Sequence, residues 1–164
     1  MILFKFTRRA FKFKLKRVPP KGNSYNLMVK PCGMWISDEK SDFGWKDWCE
    51  GEQFNIDALK YKTRIIIDTK DVLVLDTPEK LIDFNQKWCS SQVSLYERFP
   101  KWKELKKIYK GIIISPYQWD FRLNHDFFWY YGWDCASGCI WDLSCVKKVF
   151  KSKKTQKRKI NDIT

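Results

Sequence analysis

The sequence predicts an α+β fold, a mixed or antiparallel sheet accompanied by a few helices. Two observations carry the prediction: short strand-like runs come in pairs, and only three segments keep helical spacing. A third says that the chain folds at all. Hydrophobic residues make up 44% and aromatic residues 17% of 164 residues, with nine Trp, whereas disordered chains are poor in aromatics. That length fits one domain with a sizeable, aromatic-rich core.

The elements follow in order. Phe11, Phe13 and Leu15 alternate with Lys12, Lys14 and Lys16, the period of a half-buried strand. Pro19 to Ser24 reads as a turn, followed by strand pieces at Tyr25–Val29 and Met34–Ser37 around a bend at Lys30 to Gly33. Ser41 or Asp42 is placed to cap a helix carrying Trp45, Trp48 and Cys49 on one side. Strands at Tyr61–Asp68 and Val72–Asp76 are expected to form a hairpin across Thr69-Lys70. Thr77-Pro78 then opens a helix with Thr at the N-cap and Pro at the first helical position. A further helix spans about Lys101 to Lys110. Gly111 ends it, and Ile112–Ser115 reads as a buried strand. Phe127–Tyr131 and Ile140–Leu143 complete the strand candidates. The domain is drawn as residues 1–146, with 147–164 as a flexible basic tail.

Charge divides the chain. The net charge is +13, yet residues 1–18 and 147–164 each carry +7 and the stretch between them is nearly neutral. For the C-terminal lysines, solubility and polyanion binding are equally good explanations, and residues 1–18 and 147–159 are the candidate polyanion contacts. In the N-terminal block the lysine face is first the exposed side of a strand and second a binding strip. The longest apolar runs fall far short of the ~18 residues a membrane span needs, and Lys5 interrupts the N-terminus before a signal sequence can form. An intracellular protein with no membrane partner is therefore expected, and its six cysteines are expected to be free thiols. Zinc is not expected: there is no C-x-x-C, His125 is the only histidine, and Cys135-x3-Cys139-x5-Cys145 is not a usual ligand spacing.

The segment from Tyr130 to Asp142 concentrates two Trp, two Asp, two Cys and two Gly. Glycines let a backbone approach a ligand, tryptophans give flat stacking surfaces, and carboxylates and a serine supply chemistry. A buried aromatic turn could use the same residues for packing alone. Hydrolytic and nucleotide-loop machinery is missing, with no G-x-S-x-G elbow and no G-x-x-x-x-G-K-[ST] loop. His125, within Asn124-His125-Asp126, reads as a turn residue.

Four blocks taken together resemble a known family. They are K-P-x-G-x-W-x-S (Lys30 to Ser37), W-x-x-W-C (Trp45 to Cys49), G-I-x-I-x-P-Y (Gly111 to Tyr117) and W-D-x-x-S-G-C-I-W (Trp133 to Trp141). Over roughly residues 27–143 the chain is similar to small phage and bacterial proteins related to ADP-ribosyltransferases. That resemblance implies a split, strongly bent sheet, an NAD-binding cleft, a macromolecular acceptor (protein or nucleic acid) and, for a phage protein, the host cytoplasm. It implies NAD contacts at Lys30, Trp35 and Ser37 and a nicotinamide platform at Tyr117. It also implies a catalytic carboxylate in the last block, with Ser137 beside it. The family most often has His or Arg where this chain has Lys30, and Glu where it offers Asp134 or Asp142. Asp134 is preferred because Gly132 and Ser137-Gly138 flank it. Breaking a glycosidic bond to a good leaving group needs a carboxylate near the developing positive charge and an apolar wall excluding water, and Asp134 between Trp133 and Cys135 offers both. The competing expectation is a non-catalytic module that grips nucleic acid or protein with basic ends and exposed aromatics.

Overall fold

Among the described residues, strand pairing makes one eight-stranded sheet. A computed structural model describes residues 1–15, 29–89 and 99–155. The turn expected at Pro19 to Ser24, nearly all of the strand expected at Tyr25–Val29, and Lys157 to Lys159 lie outside the described residues. The strands are β1 (Ile2–Thr7), β2 (Met34–Ser37), β3 (Tyr61–Ile67), β4 (Val72–Leu75), β5 (Gly111–Ile114), β6 (Ser137–Ile140), β7 (Val146–Val149) and β8 (Lys153–Lys154). The helices are α1 (Trp45–Gly51), α2 (Pro78–Trp88) and α3 (Trp102–Ile108). The path runs β4-β5-β6-β2-β1-β3-β7, with β8 also on β3. Among the described strands only β4 and β5 pair in parallel, so the sheet is mixed and the class is α+β.

Register assigns side chains to faces, because residues directly opposite across a ladder share one. Phe4 lies opposite both Arg64 and Ser37, Ser37 opposite Ser137, and Ile114 opposite Ser137. Phe4, Arg64, Ser37, Ser137 and Ile114 therefore mark one face. Leu3 opposite Ile65, with Ile36 and Ile113 each opposite Gly138, marks the other. On the second face Leu3, Met34, Ile36, Ile65, Ile67, Ile113 and Ile140 build a core closed by Leu143 and Cys145. On the first face, α2, α3 and the aromatic turn His125–Gly132 cover β4 to β6 with Leu81, Phe84, Trp102, Leu105, Trp129, Tyr130 and Trp133. Each such fully buried large side chain contributes about 1.5–3 kcal/mol of burial free energy. Cross-strand contact also explains Gly138, where a Cβ would stand 2.7 Å from Ile113 Cγ1 and 2.8 Å from the Ile112 carbonyl oxygen. This glycine serves strand packing and not the approach of a ligand.

Helix α2 follows its sequence signal: Thr77 Oγ1 accepts from the Lys80 N–H at 3.3 Å, and Pro78 opens the helix. Helix α1 starts later than Ser41 or Asp42. Its N-cap is Gly44, whose N–H donates to Asp47 Oδ2 at 3.2 Å, while the Ser41 hydroxyl turns to Asp42.

Other expectations are corrected. Strands β3 and β4 make no hairpin, because β1 occupies one edge of β3 and β7 with β8 the other; β4 joins β5 instead. Phe127–Tyr131 is no strand. Asn124 Oδ1 accepts from the Asp126 N–H at 3.0 Å and starts a 3-10 turn, and burial in the aromatic core overrides the β preference of its rings. The strand expected at Ile140–Leu143 lies earlier, at Ser137–Ile140, because Asp142 accepts from the Ser144 N–H at 2.9 Å and begins a new turn. Phe11 to Leu15 forms no strand either: Phe11 and Phe13 pack on the second core while Leu15 is exposed. The segment drawn as a tail from Lys147 runs along β3 through Lys154, its Val146 and Val149 held by that second core.

Candidate functional site

Where the aromatic cover of the first face ends, a cavity of about 350 Å³ opens between β1, β2, β6 and α1. Its size falls within the range usual for small-molecule sites, roughly 300–1,000 Å³. Lys30, Trp35, Ser37, Asp134 and Ser137 line it. These are five of the six residues that the sequence put forward, brought together from chain segments about a hundred positions apart.

Each is positioned by local structure. Trp35 is carried on β2, opposite Cys139, and its ring lies 4.8 Å from that of the buried Trp133. Lys30 precedes β2. Its ammonium lies 3.5 Å from Asp134 Oδ2 and 5.6 Å from the centre of the Trp35 ring, a cation held between a carboxylate and a π face. Gly132 makes room for it, since a Cβ there would stand 3.0 Å from Lys30 Cε. Asp134 is only partly exposed, its side chain at 23%, beside the buried Cys135. A partly exposed carboxylate with one ammonium neighbour among the described residues keeps a lone pair for a ligand.

The two serines are more committed. Ser37 is buried; its hydroxyl donates to Glu39 Oε1 at 2.5 Å and accepts from the Trp45 N–H at 2.8 Å. It ties α1 to β2 and so fixes the Trp45 wall of the cavity. The Ser137 hydroxyl donates to the Cys135 carbonyl at 2.9 Å. Expected as a catalytic companion, Ser137 instead closes the turn that presents Asp134, and its proton is already spent on that carbonyl. Tyr117 is the larger correction. Expected as a nicotinamide platform, it is buried away from the cavity, stacked on Tyr130 at 5.3 Å and edge-on to Trp119 at 4.8 Å. It comes just past the fully buried β5 and joins the same aromatic cluster as Ile112 and Ile114. Among the described residues its buried hydroxyl has no hydrogen-bond partner, and burial raises its pKa, so it is held neutral. Asp142, the rival carboxylate, lies outside the cavity and caps the turn Leu143–Cys145.

The sequence missed the opposite wall. Phe4, Phe6, Trp45, Asn55 and Ala58 close the cavity across from Asp134, and the Lys5 ammonium donates to the Trp35 carbonyl at 3.1 Å. Glu39, which holds Ser37, was missed too. The mixed aromatic and lysine content of β1 was the available signal for that wall, hidden because the run is too short to stand out. Burial pushes the Cys135 thiol up to about 12, so this cavity thiol is a neutral wall and not a nucleophile. Among the described residues no group of three or more His, Cys, Asp or Glu is arranged to hold a metal ion, and all six cysteines are thiols.

Fold and site together define a small α+β protein with an aromatic-walled cavity in which an ammonium and a carboxylate face each other. No family model, no curated protein and no solved structure matches the chain. Among the described residues no helix is long and apolar enough to cross a membrane.

Proposed function

We propose that the protein is ADP-ribosyltransferase-like, taking the nicotinamide-ribose end of NAD into this cavity and passing ADP-ribose to a macromolecular acceptor. One observation carries the reading: three of the four sequence blocks of the resemblance meet at the cavity, the first with Lys30 and Trp35, the second with Trp45 and the last, far along the chain, with Asp134. Trp35 or Trp45 gives the stacking surface that Tyr117 does not. Lys30 serves as the cation for a phosphate or ribose oxygen, a point charge where the family has a forked or ring donor. Asp134 stands where positive charge would develop. The bond between ribose C1′ and the nicotinamide nitrogen breaks with its electron pair leaving on nicotinamide. The acceptor's nucleophilic atom then bonds to C1′ and gives up its proton to water. The carboxylate stabilises the cationic ribose between these events and is not consumed.

The test is nicotinamide release from NAD, followed by chromatography, alongside NAD binding by calorimetry. Asp134→Asn is expected to slow release by about a hundredfold or more while binding changes little, the signature of a group that acts in the transition state. Trp35→Ala is expected to weaken binding. Wild-type protein that neither binds nor cleaves NAD at millimolar concentration rules the reading out.

A further inference from the structure

The first face of the sheet does not end at the cavity. Beyond Phe4 it continues across β3 to β7 as a groove of about 280 Å³ lined by Phe4, Lys62, Arg64, Phe150, Lys151 and Lys153. Phe4 walls the groove on one side and the cavity on the other, so the two are contiguous. Four of the six lining residues are cations, and none is acidic. None of those four enters an ion pair among the described residues. An uncompensated cationic strip of this kind attracts a polyanion.

The rings narrow the choice of polyanion. The Arg64 guanidinium carbon lies 3.7 Å from the centre of the Phe150 ring, a stacking distance, and Lys62 Nζ is 4.1 Å from the centre of Phe4. A guanidinium stacked on one ring keeps its second plane free, and an unpaired base stacks well on such a plane. Acidic peptides offer charge without π faces, and duplexes hide their base faces. Adjacent strands are about 4.8 Å apart, so Phe4, Arg64 and Phe150 span room for about two nucleotides.

We propose that this groove binds single-stranded nucleic acid, with phosphates on Lys62, Lys151 and Lys153 and a base against the Arg64–Phe150 stack. The groove stands independently of the NAD reading; joined to it, a strand leaving the groove past Phe4 reaches the cavity mouth, which makes nucleic acid the class of acceptor.

The experiment measures fluorescence anisotropy of fluorescein-labelled 15-nucleotide oligo-dT and oligo-U with the full chain, without NAD, from 50 to 300 mM NaCl. Lys62→Ala/Lys151→Ala is expected to weaken binding by about tenfold at 150 mM and to flatten the log–log salt slope by about 1.4, near 0.7 for each lost phosphate contact. Phe150→Ala is expected to weaken binding by about tenfold with the slope unchanged, since a lost ring removes stacking and no charge. Lys103→Ala/Lys106→Ala, an equal loss of charge on α3, is expected to leave both quantities as they were. The proposal is overturned if the α3 pair weakens binding as much as the groove pair, if Phe150→Ala has no effect, or if a 15-base-pair duplex or poly-glutamate binds as tightly as the single strands. The two groove variants change different residues, so misfolding of one, seen by circular dichroism, leaves the other to decide.

Discussion

Two ends of one sheet face differ in what covers them. Over β4, β5 and β6 the face is roofed by α2, α3 and the turn His125–Gly132, and Ile112, Ile114, Leu81, Trp129, Tyr130 and Trp133 are nearly inaccessible. Over β1, β3 and β7 the same face carries Lys62, Arg64, Lys148 and Phe150, half-buried or exposed. Beneath both ends the opposite face is a continuous aliphatic core. The contrast shows where chemistry is available: a roofed end has no room for a ligand, an open end has no shelter from water, and the cavity lies at their boundary. Lys30 and Asp134 face each other there because the roof stops at Trp133 and α1 covers the next stretch only as far as Phe6.

The largest expected effect breaks the comparison most directly. Trp129→Ala removes a buried indole that packs on Phe84 at 5.0 Å and donates to Asn85 Oδ1 at 2.8 Å. Its cost is expected at about 3–5 kcal/mol in urea unfolding. Phe150→Ala, on the open end, is expected to cost less than about 1 kcal/mol, as for surface positions. Equal costs would mean that the open end is a second core and that its cations are only its skin.

The boundary is probed by pH. Cys135 has a folded pKa raised to about 12 by burial, from an ordinary value of 9.0. The neutral thiol is the form the fold favours, so its contribution is complete below about pH 9 and is lost as the pH rises toward 12. Stability is expected to fall there by up to about 1.4 kcal/mol per pH unit from this one thiol. Urea unfolding at pH 8, 9.5 and 10.5 gives the slope, and Cys135→Ala is expected to make it shallower. An unchanged slope would show that water reaches this thiol, and with it the floor beneath Asp134.

How much of this was legible depended on whether a signal was local. Thr77-Pro78 announced α2, and Gly111 with its three isoleucines announced β5, since capping and an unbroken apolar run are properties of neighbours in sequence. That Lys30, Trp35 and Asp134 belong together was legible from the spacing of the blocks that carry them, and the structure brings all three to one cavity. Pairing was not local. Nothing within Tyr61–Leu75 says that both edges of β3 are taken by the chain's two ends, so the expected hairpin failed. Lysines disguised β7 and β8 as a tail, although an edge strand with charged side chains is a common protection against aggregation. Tyr117 failed differently: the block that carries it was recognised, but its exposure depends on Tyr130 and Trp119, which only folding brings against it.

The smallest effect separates the two ends most finely. Thr77 caps α2, and that helix roofs the closed end without touching the cavity. Thr77→Ala is expected to cost about 1 kcal/mol. If the roof opens as a unit of its own, that loss is felt in local opening before global unfolding, and amides of α2 are expected to exchange with solvent about fivefold faster. Amides of β1 and β3 are expected to keep their rates. Their acceleration by the same factor would mean that roofed and open ends unfold only together, and the boundary at the cavity would then be a difference of covering and not of stability. Unchanged β3 amides beside faster α2 amides would show that the roof lifts while the sheet under the groove stays paired, leaving the open end intact as a binding surface throughout.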